Sequence, residues 1–295
     1  MPHLSTVRAP LAPIAAPLLA LALALTGCAE TGADSGSRSS SDSGSRADSG
    51  SGSSSDVRPP KANAPFDYQL GGAYDPPDGV TTVVRDRTAD PAPDAYNVCY
   101  INAFQTQPDA AVKWWQDNHP DLLLHDADGE LVVDEDWDEP LLDISTADRR
   151  DRLAGVVGGW IDGCADKGFD AVEADNLDSY LRSDGLLDQK QAISFARLLT
   201  ARAHAAGLAI GQKNAAEMTG HGKDTGFDFA VAEECARYEE CADYADSYDD
   251  KVLVVEYREA DFAVACQDWG DRLSVVLRDR DVVPAGEPGH VGKRC

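Results

Sequence analysis

The chain is short of positive charge. Lysine and arginine together number 26 against 52 aspartates and glutamates, for a formal net charge of −26. So acidic a surface argues against nucleic acid as a partner, because a phosphate backbone is bound by cationic surfaces. It suits a cationic ligand, or simply keeps the protein soluble. Several chemical signatures are also missing. There is no HExxH helix, no Walker loop, no CxxC pair and no GxSxG outside a Ser/Gly-rich stretch, so no cofactor and no metal is expected. The six histidines are scattered, and His204 in "ARAHAAG" has the position of a helix-end residue. Beyond the N-terminal stretch, no apolar run is long enough to span a membrane.

Against these absences stand three distinct segments. Arg8, the apolar run "IAAPLLALALAL" from Ile14 to Leu25 and the small residues of "LTGC" have the parts of an export signal, residues 1–28. "LTGC" resembles the lipobox of bacterial lipoproteins, which implies that Cys28 is lipidated and anchors a cell-surface protein to the membrane. Residues 29–62, rich in Ser, Gly and Asp, bury too little to offset their ordering entropy and are expected to form a disordered tether. Residues 63–295 suffice for one domain with a full core, expected to be a monomer. Of the seven cysteines, Cys28 aside, six remain, an even number that suggests three disulfides in an exported chain. Cys235 and Cys241 close a short loop and are expected to pair. Cys266 with Cys295 would tie the carboxyl terminus to the last βα unit, leaving Cys99 with Cys164.

Within the domain, short apolar runs alternate with helical stretches. Strands are expected at 66–70, 80–84, 97–101, 170–175, 208–213, 227–234, 251–257 and 273–279, and helices at 147–168 and 188–207. Eight strands alternating with helices predict an α/β fold, a TIM-barrel-like (β/α)8 domain. "DLLLH" (121–125) and "PLLDI" (140–144) exceed that count and are assigned to an elaborated third βα connection. The intervening "DADGELVVDEDWDE" (126–139) lacks the full spacing of a calcium loop and is expected to be an exposed acidic loop.

Three of the strands become acidic as they end, where a barrel of this kind builds its active site. Residues 170–175 deliver Glu173 and Asp175, followed by Asn176; residues 227–234 deliver Glu233 and Glu234; residues 251–257 deliver Glu256. The strand at 208–213 adds Lys213 and then Asn214. Paired carboxylates at such positions are the tools of glycoside cleavage. Strand alternation puts Glu173 on the face of Asp175, and Glu233 and Glu234 on opposite faces. Glu256 is either a substrate-binding carboxylate or a buried partner of Lys213. Asp170 and Asp178 are expected to be cap or loop residues.

"GFDAVEADNLDSY", "DQKQAISFARLLTARAHAAGLAIGQKN", "FDFAVAEECARYEEC" and "KVLVVEY" resemble the sequence blocks of glycoside hydrolase family 114, the endo-α-1,4-polygalactosaminidases, which adopt a TIM-barrel-like fold. The resemblance runs through the domain from "FDYQLGG" to "VLRDRDVVPAGEPGHVGKRC". It implies hydrolysis of a cationic amino-sugar polysaccharide, with Asp175 and Glu233 as the catalytic pair. Glu173, Asn176, Lys213, Asn214, Glu234 and Glu256 are then expected to bind substrate. Two departures stand out: Ala232 replaces the family's Asn, and Glu234 its Gln. They leave open a rival reading, a non-catalytic carbohydrate-binding protein on the same barrel.

Overall fold

A computed structural model describes residues 57–295. Cys28 and most of the expected tether lie outside the described residues. In chain order the elements are β1 (Phe66–Gln69), β2 (Thr82–Asp86), β3 (Tyr96–Asn102), α1 (Ala110–Asn118), β4 (Val133–Asp134), β5 (Glu139–Pro140) and α2 (Ala147–Lys167). There follow β6 (Ala171–Asp175), α3 (Gln189–Ala205), β7 (Ala209–Lys213), the single turn α4 (Gly222–Thr225), β8 (Phe229–Glu233), α5 (Cys241–Tyr248), β9 (Val252–Glu256), α6 (Glu259–Trp269), β10 (Ser274–Arg278) and β11 (Gly292–Arg294). The main sheet runs β1-β2-β3-β6-β7-β8-β9-β10-β11, its first eight strands parallel and β11 antiparallel to β10. It is a nearly closed barrel, with β1 and β10 in contact but not joined by a ladder.

The period of two along each strand sorts its residues between two cores. Phe66, Tyr68, Val84, Val98, Ala171, Ala209, Phe229, Val231, Leu253, Val255 and Val276 fill the barrel interior. Their neighbours, such as Val172, Ile210, Ala230 and Val254, pack outward with Leu153, Val157, Phe195 and Leu199 of the helices. Gly211 points inward, and a Cβ there would lie 2.6 Å from the ring of Phe229. The missing side chain lets that ring fill the interior below Lys213.

Local signals set the two long helices. Thr146 caps α2 by accepting from the Arg149 backbone at 3.2 Å, and Gly168 ends it at φ 90°. Asp188 and Gln191 form a reciprocal capping box at the start of α3. His204 sits in the last turn of α3, 2.9 Å from Asp228.

Three sequence expectations need correction. The strand expected at 80–84 runs from Thr82 to Asp86, because Arg85 continues the ladder and its guanidinium finds Gln69 Oε1 at 2.9 Å and the Tyr74 carbonyl at 2.7 Å. An apolar run cannot announce such an end. Residues 57–62 belong to the domain and not to the tether: Pro60 is buried, Val57 packs on the barrel interior, and Tyr96 donates to the Arg58 carbonyl at 2.6 Å. The acidic loop is not wholly exposed. Leu123 and Leu142 form an antiparallel bridge, and the β4–β5 hairpin carries Asp134 and Glu139 into buried positions.

The three expected disulfides are present. Cys99–Cys164 fastens β3 to α2, Cys235–Cys241 closes the loop after β8, and Cys266–Cys295 ties α6 to the carboxyl terminus.

Candidate active site

Three consecutive strands build the centre. β6 presents Glu173 and Asp175, β7 presents Lys213 and β8 presents Glu233, all on the inward parity. Directly after each strand the chain turns through a left-handed residue: Asn176 at φ 64°, Asn214 at φ 49° and Glu234 at φ 54°. Asparagine tolerates that conformation better than most residues, which accounts for two of the three. Both asparagines also brace the site. Asn214 clamps Glu233 at two points, donating to Oε2 at 2.9 Å and accepting from its backbone N–H at 2.8 Å. Asn176 donates to Asn102 at 2.9 Å and to Glu139 at 3.3 Å.

Lys213 is the hub. Its Nζ lies 2.9 Å from Glu173, 3.3 Å from Asp175 and 3.4 Å from Glu233, with only 2% of its side chain exposed. Burial works against the ammonium, but Asp175, Glu173 and Glu233 outweigh it and hold Lys213 protonated well above the usual lysine range. Burial likewise pushes Glu173 up to about 7 against the pull of Lys213. Near neutrality the lysine stays charged, while Glu173 takes up a proton.

Each inward carboxylate also has its own tyrosine, three residues that sequence reasoning missed. Tyr68 donates to Glu173 at 2.7 Å, Tyr100 donates to Asp175 at 2.7 Å, and Tyr257 donates to Glu233. Burial raises all three phenols well above their ordinary range, so they remain donors. The available signal was register: Tyr100 stands directly across from Glu173 in the β3–β6 ladder. Asp175 thus receives Tyr100, Lys213 and the Asn176 backbone N–H, and Glu233 receives Tyr257, Asn214 and Lys213.

The cleft above this centre has a volume of about 570 Å³ and is lined by eight acidic and three basic residues. One of the bases is Lys213, and Arg182 is engaged by Asp134 at 2.8 Å and Asp178 at 2.9 Å. The β4–β5 hairpin supplies one wall, with Asp134, Asp136, Trp137 and Glu139. Trp137 is half exposed, with the Arg280 guanidinium 5.1 Å from its ring. Burial pushes Glu139 up to about 7, opposed by the Asn102 amide and reinforced by Asp175. This wall went unrecognised because its residues are remote in sequence from the strand ends.

Of the expected substrate-binding residues, Asn176, Lys213 and Asn214 line the cleft. Glu173 does not: it is fully buried beneath Lys213. Glu234 faces outward, where its carboxylate pairs with Arg237 at 2.6 Å. Ala232, also on the outer parity, is buried. Both departures from the family blocks therefore lie off the cleft. Glu256 is neither a cleft residue nor a partner of Lys213. It sits behind the barrel wall, fully buried, accepting from the Ala236 backbone at 2.9 Å, with its second oxygen unpartnered. Strand-end position misled here, because alternation sends Tyr257 inward and Glu256 outward. The nearby Cys235 and Cys241 are joined to each other and so offer no thiolate for a metal.

Burial raises Glu256 to about 7, against the Ala236 N–H that lowers it. The folded protein therefore keeps a proton that the unfolded chain releases, and stability falls as pH rises from the ordinary glutamate value to about 7. Glu256→Gln removes that dependence. We expect the variant to be ~1–3 kcal/mol more stable than the parent at pH 8 and equal to it near pH 4. Denaturant melts at the two pH values check this, and an equal or lower stability at pH 8 would refute it.

An acidic cleft at the carboxyl ends of barrel strands, with two carboxylates braced on rigid elements, is the layout of a barrel glycoside hydrolase. Residues 47–295 match the glycoside-hydrolase family GH114, and the chain belongs to that family. The fold is similar to that of Aspergillus fumigatus Ega3, solved in complex with galactosamine (TM-score 0.66, 24% identity, 81% of this chain and 97% of that one). It is also similar to the glycoside hydrolase domain of PelA from Pseudomonas aeruginosa (TM-score 0.50, 12% identity, 76% and 97%). No curated protein matches the sequence.

Proposed function

We propose that this glycoside hydrolase cleaves α-1,4-linked galactosamine-containing polysaccharide, with Asp175 as nucleophile and Glu233 as general acid and then base. The observation that carries the reading is the inward pair on β6 and β8, held against one ammonium at 3.3 and 3.4 Å. The excess of carboxylates in the cleft complements a polymer of cationic amino sugars. Galactosamine bound to the similarly folded Ega3 supports the same choice of sugar. The half-exposed ring of Trp137 offers a flat apolar surface to a sugar face.

In the first step, Asp175 attacks the anomeric carbon as the glycosidic bond breaks, and the proton of Glu233 passes to the leaving oxygen. In the second, Glu233 takes a proton from water as that water's oxygen displaces Asp175 from the sugar. Asp175 suits the nucleophile's part because a backbone N–H, a phenol and an ammonium fix its oxygens. Glu233, the more exposed of the two, is the better placed to meet water. Contact with a shared ammonium keeps the nearest oxygens of the pair close, which favours the separation of about 5 to 5.5 Å typical of retaining enzymes. Incubation with α-1,4-galactosamine oligomers should release reducing ends, with the α-anomer appearing first in proton NMR. No release would refute the function; initial β-anomer would refute the two-step route.

The same reading places the enzyme outside the cell, consistent with three disulfides. It is held at the membrane through a lipid on Cys28. Cys28→Ala should abolish acyl labelling and release the protein to the medium; a label that persists would exclude this anchor.

A further inference from the structure

The carboxylates that line the cleft differ in what already holds them. Asp175 and Glu233 share the Lys213 ammonium, and Asp134 and Asp178 share Arg182. Asp86, Asp136 and Asp281 are partly or fully exposed, where water solvates a charge without a partner. Glu139 fits neither group. It is only 9% exposed, and among the described residues no cation lies within ion-pair distance of it.

Its two oxygens are used unequally. Oε2 accepts from the amides of Asn102 at 2.9 Å and Asn176 at 3.3 Å, whereas Oε1 accepts no hydrogen bond and is not sealed from the cleft that Glu139 lines. A buried carboxylate is costly unless it is paired, so an oxygen left open toward the cleft is a place for a cation to arrive. Burial, and with it the charge of Asp175, works against the ionised form of Glu139, and an ammonium at Oε1 would offset both.

Position selects which ammonium. The two asparagines set Glu139 on one flank of Asp175: Asn176 follows Asp175 in the chain, and Asn102 is its partner in the β3–β6 ladder. The other flank is β7, with the Lys213 Nζ 3.3 Å from Asp175. When Asp175 attacks the anomeric carbon of an amino sugar, the 2-amino group stands on the adjacent carbon and must lie to one side. Toward β7 it would meet a buried cation, and like charges repel strongly away from water. Toward the hairpin it meets the open oxygen of Glu139.

We propose that Glu139 recognises the 2-ammonium of the sugar seated on Asp175, turning C2 toward the β4–β5 hairpin and making that position specific for an amino sugar. The proposal rests on the amino-sugar substrate read above and names the group that selects it.

Kinetics on α-1,4-galactosamine oligomers test it. Glu139→Gln keeps the size of the side chain and an oxygen for both asparagines but loses the charge, whereas Glu139→Asp shortens the side chain and keeps the charge. Relative to the parent, kcat/KM should fall about 10²-fold in Glu139→Gln, as when one partner of a buried charge pair is lost, and about tenfold in Glu139→Asp. On α-1,4-galactose oligomers, whose 2-hydroxyl is neutral, Glu139→Gln should be no less active than the parent. Three results would each overturn the proposal: parent-like activity of Glu139→Gln on the amino oligomers, a Glu139→Gln more active than Glu139→Asp, or an equal loss on both sugars, which would make Glu139 only a support for Asn102 and Asn176. A parent inactive on the amino oligomers would instead overturn the amino-sugar reading, and this proposal with it.

Discussion

Asp175→Asn and Glu233→Gln should each lower kcat/KM by roughly 10³-fold or more, while oligomer affinity and melting temperature stay close to those of the parent. The amides keep the size of the carboxylates, but one cannot attack the anomeric carbon and the other cannot pass a proton. Both keep an oxygen for the surrounding phenols, ammonium and asparagine, so the site should hold its shape. The double variant should be little worse than either single one, because the two groups act in one reaction coordinate. Glu234→Gln is the internal control. Its carboxylate faces away from the cleft and meets a partly exposed Arg237, so its loss should change activity by no more than about twofold. A dead Glu234→Gln alongside an active Glu233→Gln would mean that β8 is read in the wrong register.

Lys213→Met should have the largest effect on stability. The substitution leaves Glu173, Asp175 and Glu233 facing one another without the ammonium that each now contacts within 3.4 Å. Removing one partner of a buried ion pair typically costs about 3 to 5 kcal/mol. The loss depends on pH, and its sign follows from which state binds the proton. Without the ammonium, nothing offsets the burial that already raises Glu173, and its folded-state value moves further above that of the unfolded chain. The folded variant then binds more protons than the unfolded one, and its stability falls as pH rises. Parent and variant should therefore differ most at pH 8 and converge near pH 5. Adding Glu173→Gln should recover part of the loss at pH 8 by removing the deepest of the three charges. Calorimetric melting temperatures that are equal at pH 8, or a deficit that is constant across pH, would contradict the hub role of Lys213.

The barrel was legible because its strands are short apolar runs with helices between them. Covering a strand on both faces requires just that pattern. The inward carboxylates proposed as the catalytic pair were legible for a related reason: only at a strand's end does an inward residue reach solvent, so Asp175 and Glu233 announce themselves as charges closing apolar runs. The disulfides followed from an even number of cysteines and one short loop, Cys235–Cys241, which left the two longer closures to be shared among four. Parity was harder. Glu256 closes its run in the same manner as Glu233, yet it faces the helices, and nothing in "KVLVVEY" says which alternate set points inward.

What the sequence by itself determined is therefore a set of elements and the residues at their ends, since periodicity and turn chemistry act over a few neighbouring positions. Tertiary structure alone decided which charges meet. Tyr68, Tyr100 and Lys213, on three strands, and Tyr257, directly after a fourth, converge on three carboxylates only because the barrel curves its inward faces onto one axis. Glu139 and Trp137 join them through a hairpin that folds back over the cleft from the third βα connection. The energy of such a cluster lies in pairs separated by tens of residues. Local pattern carries no record of those distances, whereas closure of the sheet sets them all at once.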